Sequence, residues 1–295
     1  MAEKVEFRKI REFGELIGDT FLFIRQNFKP LGKAFLYICG IFILGGMISS
    51  IMTQLQLVDL QSNPYSGSYR SSPFSIFAKI GIQYILVIIF MVLSYTSMYI
   101  TILSYIALYV QKGNVAPSVE EVWSYFKFYF FRMLGSGIVI SLFATVCFIC
   151  CIIPGIYVFP AVTIFYPIMI IENGSLGYSF GRSFKLLNEE WWITAAVLII
   201  IWVITYGCML LTQLPAIILG MVGAFTHTAN PLTKTYAFLI SILQYISYIF
   251  TIIPLICGTL IYFNLVERKE SSGLMDRIDG LGKTGDQTYI HPEEY

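Results

Sequence analysis

Residues 191–214 have the sequence WWITAAVLIIIWVITYGCMLLTQL, which contains no charged side chain. Apolar stretches of at least about 18 residues are typical of transmembrane helices, since about 20 helical residues cross the hydrocarbon core of a bilayer. The whole 295-residue chain is 57% hydrophobic and only 13% charged. Soluble domains carry about 25% charged residues. The sequence therefore predicts an all-α, polytopic membrane protein.

Five further stretches have the same character. Together they predict six transmembrane helices, at residues 34–52, 76–110, 132–153, 155–171, 191–214 and 236–266. The second stretch is longer than a bilayer requires, so we expect it to tilt or to project into the cytoplasm. Proline removes a backbone donor from a helix, which predicts helix breaks at Pro154, Pro160, Pro167 and Pro254, with the fourth helix kinked or broken.

The distribution of lysine and arginine predicts the orientation. Fifteen of the 19 basic residues lie in the two terminal segments and in the connections at 111–131 and 172–190, and a sixteenth, Arg132, begins the third predicted helix on the same side. Cytoplasmic segments of membrane proteins are enriched in these residues, so both termini are predicted to be cytoplasmic. The connections at 54–73 and 225–235 then face outward.

Apolar residues spaced at i, i+4, i+7 and i+11 precede the first, third and fifth transmembrane helices. The three sets are Ile17, Phe21, Ile24 and Phe28; Val119, Trp123, Phe126 and Phe130; and Phe180, Phe184, Leu187 and Trp191. This spacing forms one stripe of an α-helix. It predicts three transmembrane hairpins, each preceded by an amphipathic helix at the cytoplasmic interface. The alternative is chance recurrence in an apolar chain.

One transmembrane domain is therefore predicted at residues 1–266, with repeats at about 10–110, 116–172 and 175–266. Within it, Ser118 and Glu121 have the spacing of a capping box, and Ser175 marks a helix start. The polar segment 267–295 is predicted to be a disordered cytoplasmic tail. Four apolar residues in this tail are spaced as a short helix that would dock on a protein partner: Leu274, Met275, Ile278 and Leu281.

Few residues of the sequence are candidates for catalysis or metal binding. The two histidines, His227 and His291, fall in a predicted connection and in the tail, and no hydrolase or phosphate-binding motif is present. The cysteines at 147, 150 and 151 have no histidine or carboxylate within their span, which predicts packing residues rather than a metal site. We expect no catalytic residue, no metal and no cofactor. The net charge of +1 also predicts no nucleic-acid partner.

The junction after the fourth helix is the exception. Glu172 and Asn173 end that helix, and Arg182 and Lys185 follow on the next amphipathic segment. These residues would form a structural ion pair that fixes the connection. Alternatively, Arg182 and Lys185, with Arg25 and Lys127 at comparable places in the other repeats, would hold an anionic lipid headgroup.

Three motifs in this region carry a resemblance: IIPGIY at 152–157, MIIEN at 169–173 and RSFKLL at 182–187, followed by Trp191 and Trp192. They resemble the six-helix membrane domain of bacterial glycerophosphoryl diester phosphodiesterases and of related uncharacterised stand-alone membrane proteins. The ending FNLVERK at 263–269, followed by GLMDR at 273–277, is similar to that of membrane proteins of Bacteroidetes-type bacteria. The resemblance implies a bacterial cytoplasmic-membrane module near lipid metabolism or envelope homeostasis. Without a soluble catalytic domain, it does not imply hydrolysis.

The sequence thus predicts a non-enzymatic integral protein that binds lipid or a partner protein at its cytoplasmic interface. A transporter or channel component for a small or lipid-like molecule is the alternative, favoured by the repeat and by the expected break in the fourth helix. An intramembrane enzyme is the third possibility.

Overall fold

A computed structural model describes residues 4–62, 73–150, 152–226 and 231–271, and every regular element in these ranges is helical. In chain order the helices are α1 (Phe13–Ser62), α2 (Pro73–Gln111), α3 (Val119–Cys150), α4 (Ile152–Ile171), α5 (Leu176–Leu187), α6 (Trp191–Thr226), α7 (Pro231–Ser247) and α8 (Ile252–Glu270). A 3-10 turn, Tyr248–Thr251, joins α7 to α8.

Six helical segments of the described chain are long and apolar enough to cross a membrane. They are Phe13–Asp59, Gly81–Gln111, Val119–Cys150, Ile153–Ile171, Trp191–Val222 and Lys234–Glu270. The predicted all-α, multi-pass class and the number of spans are therefore confirmed. The last span combines α7, the 3-10 turn and α8.

The first connection begins later than the sequence suggested. We predicted a polar connection from residue 54, but α1 continues to Ser62 and comprises 50 residues. Glutamine and leucine, which dominate this segment, are good helix formers and do not stop a helix. Near this end, Lys234 on α7 pairs with Asp59 on α1, with 2.7 Å between Nζ and Oδ1.

The predicted break of the fourth helix does not occur. Helix α4 is continuous from Ile152 to Ile171 with Pro160 and Pro167 inside it. Each proline removes one backbone hydrogen bond, but packed neighbours hold the helix together: Ala161, Ile164, Phe165 and Ile168 are all buried. Pro154 lies in the first turn of α4, where a backbone N–H would have no helical acceptor in any case.

Pro254, in contrast, follows a real interruption. The α-helical pattern stops after Ser247, passes through the 3-10 turn Tyr248–Thr251 and resumes at Ile252. Because Pro254 has no N–H, it cannot bond to the carbonyl four residues earlier. The α-helical hydrogen-bond pattern is therefore interrupted just before Pro254.

The core surrounds α8. Every residue of α8 from Ile252 to Glu267 is buried, and α1, α2, α4 and α6 all pack against this helix. The segment before α1 closes one end of the core through Phe7, whose ring lies 5.1 Å from that of Phe23 and 5.5 Å from that of Phe263. This burial is far too extensive for a helix that faces lipid on one side.

The three amphipathic segments are helical but differ in kind. The first lies within α1 and the second opens α3, whereas the third is the separate helix α5, with Trp191 opening α6. In α1 the predicted stripe is not the inward face, since Phe21 and Phe28 are exposed. The inward face lies one residue away and consists of Leu16, Thr20, Phe23, Asn27 and Leu31.

Both predicted helix starts are confirmed. The backbone N–H of Ser118 donates to Glu121 Oε2 (2.8 Å), and the N–H of Glu121 donates to Ser118 Oγ (3.3 Å). Ser175 caps α5 by accepting from the N–H of Tyr178. Helix α8 runs to Glu270, so the predicted tail begins as helix. Several predicted features lie outside the described residues, namely His227, His291, Cys151 and the docking residues Leu274, Met275, Ile278 and Leu281.

Candidate functional site

The predicted site lies at the end of the bundle where α4 and α8 both end, here called the α5 end. Helix α4 finishes at Ile171, and Asn173 then adopts a left-handed conformation (φ +51°), which asparagine tolerates better than most residues. The chain reverses and starts α5 after Ser175. This tight connection brings the carboxylate of Glu172 beside the first turns of α5.

Glu172 accepts three side-chain contacts. Tyr262 Oη donates to Oε1 (2.9 Å), and Tyr178 Oη donates to Oε2 (2.7 Å). Arg182 Nε lies 3.3 Å from Oε1. The carboxylate therefore joins α4 to α5 and to α8, and the expected proximity of Glu172 and Arg182 is present.

Arg182 also pairs with a second carboxylate. Its Nη1 lies 2.6 Å from Glu270 Oε1, and only 16% of its side chain is exposed. The hydrogen bond to Glu270 and the nearby charge of Glu172 raise the pKa of Arg182 above its ordinary value. The hydrogen bond to Glu172 likewise raises the pKa of Tyr178. Arg182, Glu172, Glu270, Tyr178 and Tyr262 are called the Glu172 cluster below.

Asn173 belongs to a neighbouring contact rather than to this cluster. Arg132 on α3 donates from Nη1 to Asn173 Oδ1 (2.6 Å) and from Nη2 to the Asn173 carbonyl (3.1 Å). It also donates to the carbonyl of Gly174. A Cβ atom at Gly174 would lie 2.7 Å from Ser179 Oγ, so a larger residue here would displace the Ser179 side chain. Asn173 thus anchors the connection to α3.

Lys185 does not join the Glu172 cluster by direct contact. Its side chain is exposed, while its backbone carbonyl accepts from Lys269 Nζ (2.8 Å). Sequence reasoning missed Tyr262 and Glu270, which contact Glu172 and Arg182 from α8. No local spacing could reveal them, since they lie about ninety residues from Glu172 in the chain.

The chemistry of the Glu172 cluster is that of an ion-pair clamp. It holds one arginine between two carboxylates, with two tyrosine hydroxyls donating, and contains no nucleophile beside a general base. Across the residues that the structure describes, no group of three histidine, cysteine, aspartate or glutamate side chains is placed to hold a metal. Because Arg182 already has two anionic partners, the geometry favours the structural alternative over a lipid headgroup at this residue.

Several other basic side chains lack the ion pairs that Arg182 makes. Within the described ranges, five exposed basic side chains have neither a carboxylate in ion-pair contact nor a hydrogen-bond acceptor: Arg25, Lys29, Lys33, Lys127 and Lys185. Three of them lie on α1, one on α3 and one on α5. Exposed aromatic residues accompany them, including Phe28 (64% exposed), Tyr37 (73%) and Phe128 (66%). Cations beside exposed aromatics are typical of the membrane–water interface.

No protein-family model, no curated protein and no solved structure matches this chain.

Proposed function

We propose that the protein is a non-enzymatic integral protein of the bacterial cytoplasmic membrane that binds anionic lipid at its cytoplasmic interface. The observation that carries the proposal is the set of five unpaired, exposed cations beside exposed aromatic side chains. A basic residue at an anionic membrane surface contributes about 1 kcal/mol to binding. Basic residues that are already paired with carboxylates, such as Arg182, contribute much less attraction.

The resemblance of residues 152–192 to the membrane domain of bacterial glycerophosphoryl diester phosphodiesterases supports the same proposal. It favours a bacterial membrane module near lipid metabolism or envelope homeostasis. The three helical segments that precede the first, third and fifth spans carry or adjoin the five cations. In this proposal they lie at the cytoplasmic interface as three related units, each followed by a hairpin.

A transporter for a small or lipid-like molecule is the second candidate. It is favoured by a cleft of about 180 Å³ at α2, α3 and α4, lined in part by five hydroxyl-bearing side chains: Tyr95, Thr96, Tyr99, Ser141 and Tyr166. Two features weigh against it. Helix α4 is continuous, whereas transporter sites are often formed by broken helices. The central parts of the spans, residues 34–58, 81–111, 133–150, 152–171, 191–226 and 235–266, also contain no aspartate, glutamate, lysine, arginine or histidine, and ion-coupled transport uses such residues.

The proposed orientation predicts a labelling pattern. In a background without native cysteines, Asp59→Cys and Lys234→Cys are expected to react with a membrane-impermeant maleimide in intact cells. Val115→Cys and Lys185→Cys, which are also exposed positions, are expected to react only after permeabilisation, because the basic side faces the cytoplasm. Labelling of Lys185→Cys in intact cells would reverse the orientation.

The lipid preference is tested by native mass spectrometry of the purified protein. We expect the wild type to bind phosphatidylglycerol at least about tenfold more tightly than phosphatidylcholine. Neutralising the five unpaired cations to glutamine is expected to abolish this preference. The matched control replaces three exposed but paired lysines by glutamine: Lys9, Lys112 and Lys234. Equal binding of the two lipids by the wild type would refute the proposal.

A further inference from the structure

A large apolar groove runs along α1 where it meets the 3-10 turn and the start of α8. Its volume of about 610 Å³ is within the range of about 300–1,000 Å³ that small-molecule sites have. The walls include Leu36 and Tyr37 from α1 and Phe250 and Ile253 from the other side. Below, this feature is called the α1 groove.

Two of the five unpaired cations, Lys29 and Lys33, line the α1 groove. They are four residues apart on α1, so their side chains share one face of the helix. Lys33 also lies over the ring of Tyr37, with 6.0 Å between Nζ and the ring centroid. The other three unpaired cations do not line the groove.

The lysine pair lies at the start of a long uncharged stretch of α1. Residues 34–58, immediately after Lys33, contain no aspartate, glutamate, lysine, arginine or histidine. The apolar part of the groove extends into this uncharged region, where Leu36 and Tyr37 are 66% and 73% exposed. The α1 groove therefore has a cationic part at the membrane boundary and an apolar part at membrane depth.

The lysine pair and the apolar wall together indicate which kind of molecule the α1 groove would bind. Like charges four residues apart on a helix repel each other, and an anion between them relieves that repulsion. The apolar wall, in turn, is complementary to a hydrocarbon chain. A phospholipid with an anionic headgroup provides both parts in one molecule, with the charge at the boundary and the chain at depth.

We propose that the α1 groove is a specific site for one anionic phospholipid. Its phosphate lies between the ammonium groups of Lys29 and Lys33, and one acyl chain packs along Leu36, Tyr37 and Phe250. The inference rests on the proposed function, because it names the place where the preference for anionic lipid is concentrated.

The first test removes the charge. Binding of phosphatidylglycerol to the detergent-purified full chain is measured by native mass spectrometry, with phosphatidylcholine as the reference lipid. The double variant Lys29→Gln, Lys33→Gln is expected to bind phosphatidylglycerol about 30-fold more weakly, since two interfacial cations are lost. Its affinity for phosphatidylcholine should change little. The matched control, Arg25→Gln with Lys127→Gln, removes the same charge elsewhere and is expected to weaken binding less than about threefold.

The second test fills the groove without changing the charge. Gly32 lines the α1 groove, and a Cβ atom placed on it meets no atom within 4 Å. The Cβ atom of a Gly32→Leu variant therefore meets no neighbour, the rest of the side chain would occupy the groove, and leucine favours the helix more than glycine does. It is expected to weaken binding of phosphatidylglycerol at least about tenfold while thermal stability stays the same or rises.

The outcomes separate the two proposals. If the wild type binds both lipids equally, the proposed function and this site fail together. If the wild type prefers phosphatidylglycerol but neither Lys29→Gln, Lys33→Gln nor Gly32→Leu weakens its binding, only the α1 groove is refuted. If oleate competes with phosphatidylglycerol at equal affinity, the α1 groove binds a free fatty acid, and the proposal of a phospholipid site is refuted.

Discussion

Replacement of Arg11 by methionine is expected to lower the free energy of unfolding by about 3–5 kcal/mol, the usual cost of removing one partner from a buried ion pair. The Arg11 side chain is fully buried and pairs with Asp19, with 2.8 Å between Nε and Oδ2. Its guanidinium also donates to the carbonyls of Phe7 (2.9 Å) and Lys9 (3.1 Å) and to that of Glu6. Methionine fills much of the volume but satisfies none of these acceptors.

The position of Arg11 adds to this effect. Its backbone N–H donates to Asn264 Oδ1 (2.8 Å), and its carbonyl accepts from Arg268 Nη2 (3.0 Å). Arg11 therefore links the segment before α1 to the end of α8 by hydrogen bonds. The control is Lys9→Met, which removes an exposed pair with Glu15 and is expected to leave the unfolding midpoint nearly unchanged. Equal unfolding midpoints of the two variants in a detergent denaturation series would contradict the prediction.

The second large effect concerns the Glu172 cluster. Arg182→Gln is expected to destabilise the protein by about 2–4 kcal/mol, because it leaves Glu172 and Glu270 close together without the cation that both contact. This loss is smaller than the one expected for a fully buried ion pair. The side chains of Arg182 and Glu172 are 16% and 18% exposed, which permits partial solvation. The copurifying lipids should stay the same, since Arg182 is occupied by protein carboxylates.

Lys185→Gln serves as the matched control for this prediction. It removes a cation from the same helix, but one whose exposed side chain touches no carboxylate, and it should leave the unfolding midpoint nearly unchanged. A variant Arg182→Gln of normal stability that loses anionic lipid would instead make the Glu172 cluster a headgroup site. Thermal unfolding and lipid analysis of the same preparation distinguish these results.

Local patterns in the sequence predicted local structure well. The six spans follow from uncharged apolar runs, and the starts of α3 and α5 follow from Ser118 with Glu121 and from Ser175. The meeting of Glu172 and Arg182 also follows locally, because ten residues with one tight connection bring the two side chains to the same end of the bundle.

Long-range features were not predictable in this way. An arginine eleven residues from the start resembles any other basic residue of a cytoplasmic segment, and only the packed structure shows that Arg11 is buried. Tyr262 and Glu270 reach the Glu172 cluster through the position of α8, which no spacing encodes. The continuity of α4 likewise depends on neighbours that support Pro160 and Pro167, so the propensity of proline alone does not show whether a helix is broken.

The burial of α8 on all sides has a consequence for biogenesis. Proteins are synthesised from the N-terminus, so the helix at the centre of this bundle leaves the ribosome after α1 to α7. Until then α1, α2, α4 and α6 have no central partner, and their facing surfaces contact lipid or one another. A nascent chain that stops before Ile252 therefore lacks the central helix of the core, and membrane proteases would encounter a loose assembly rather than a nearly finished one.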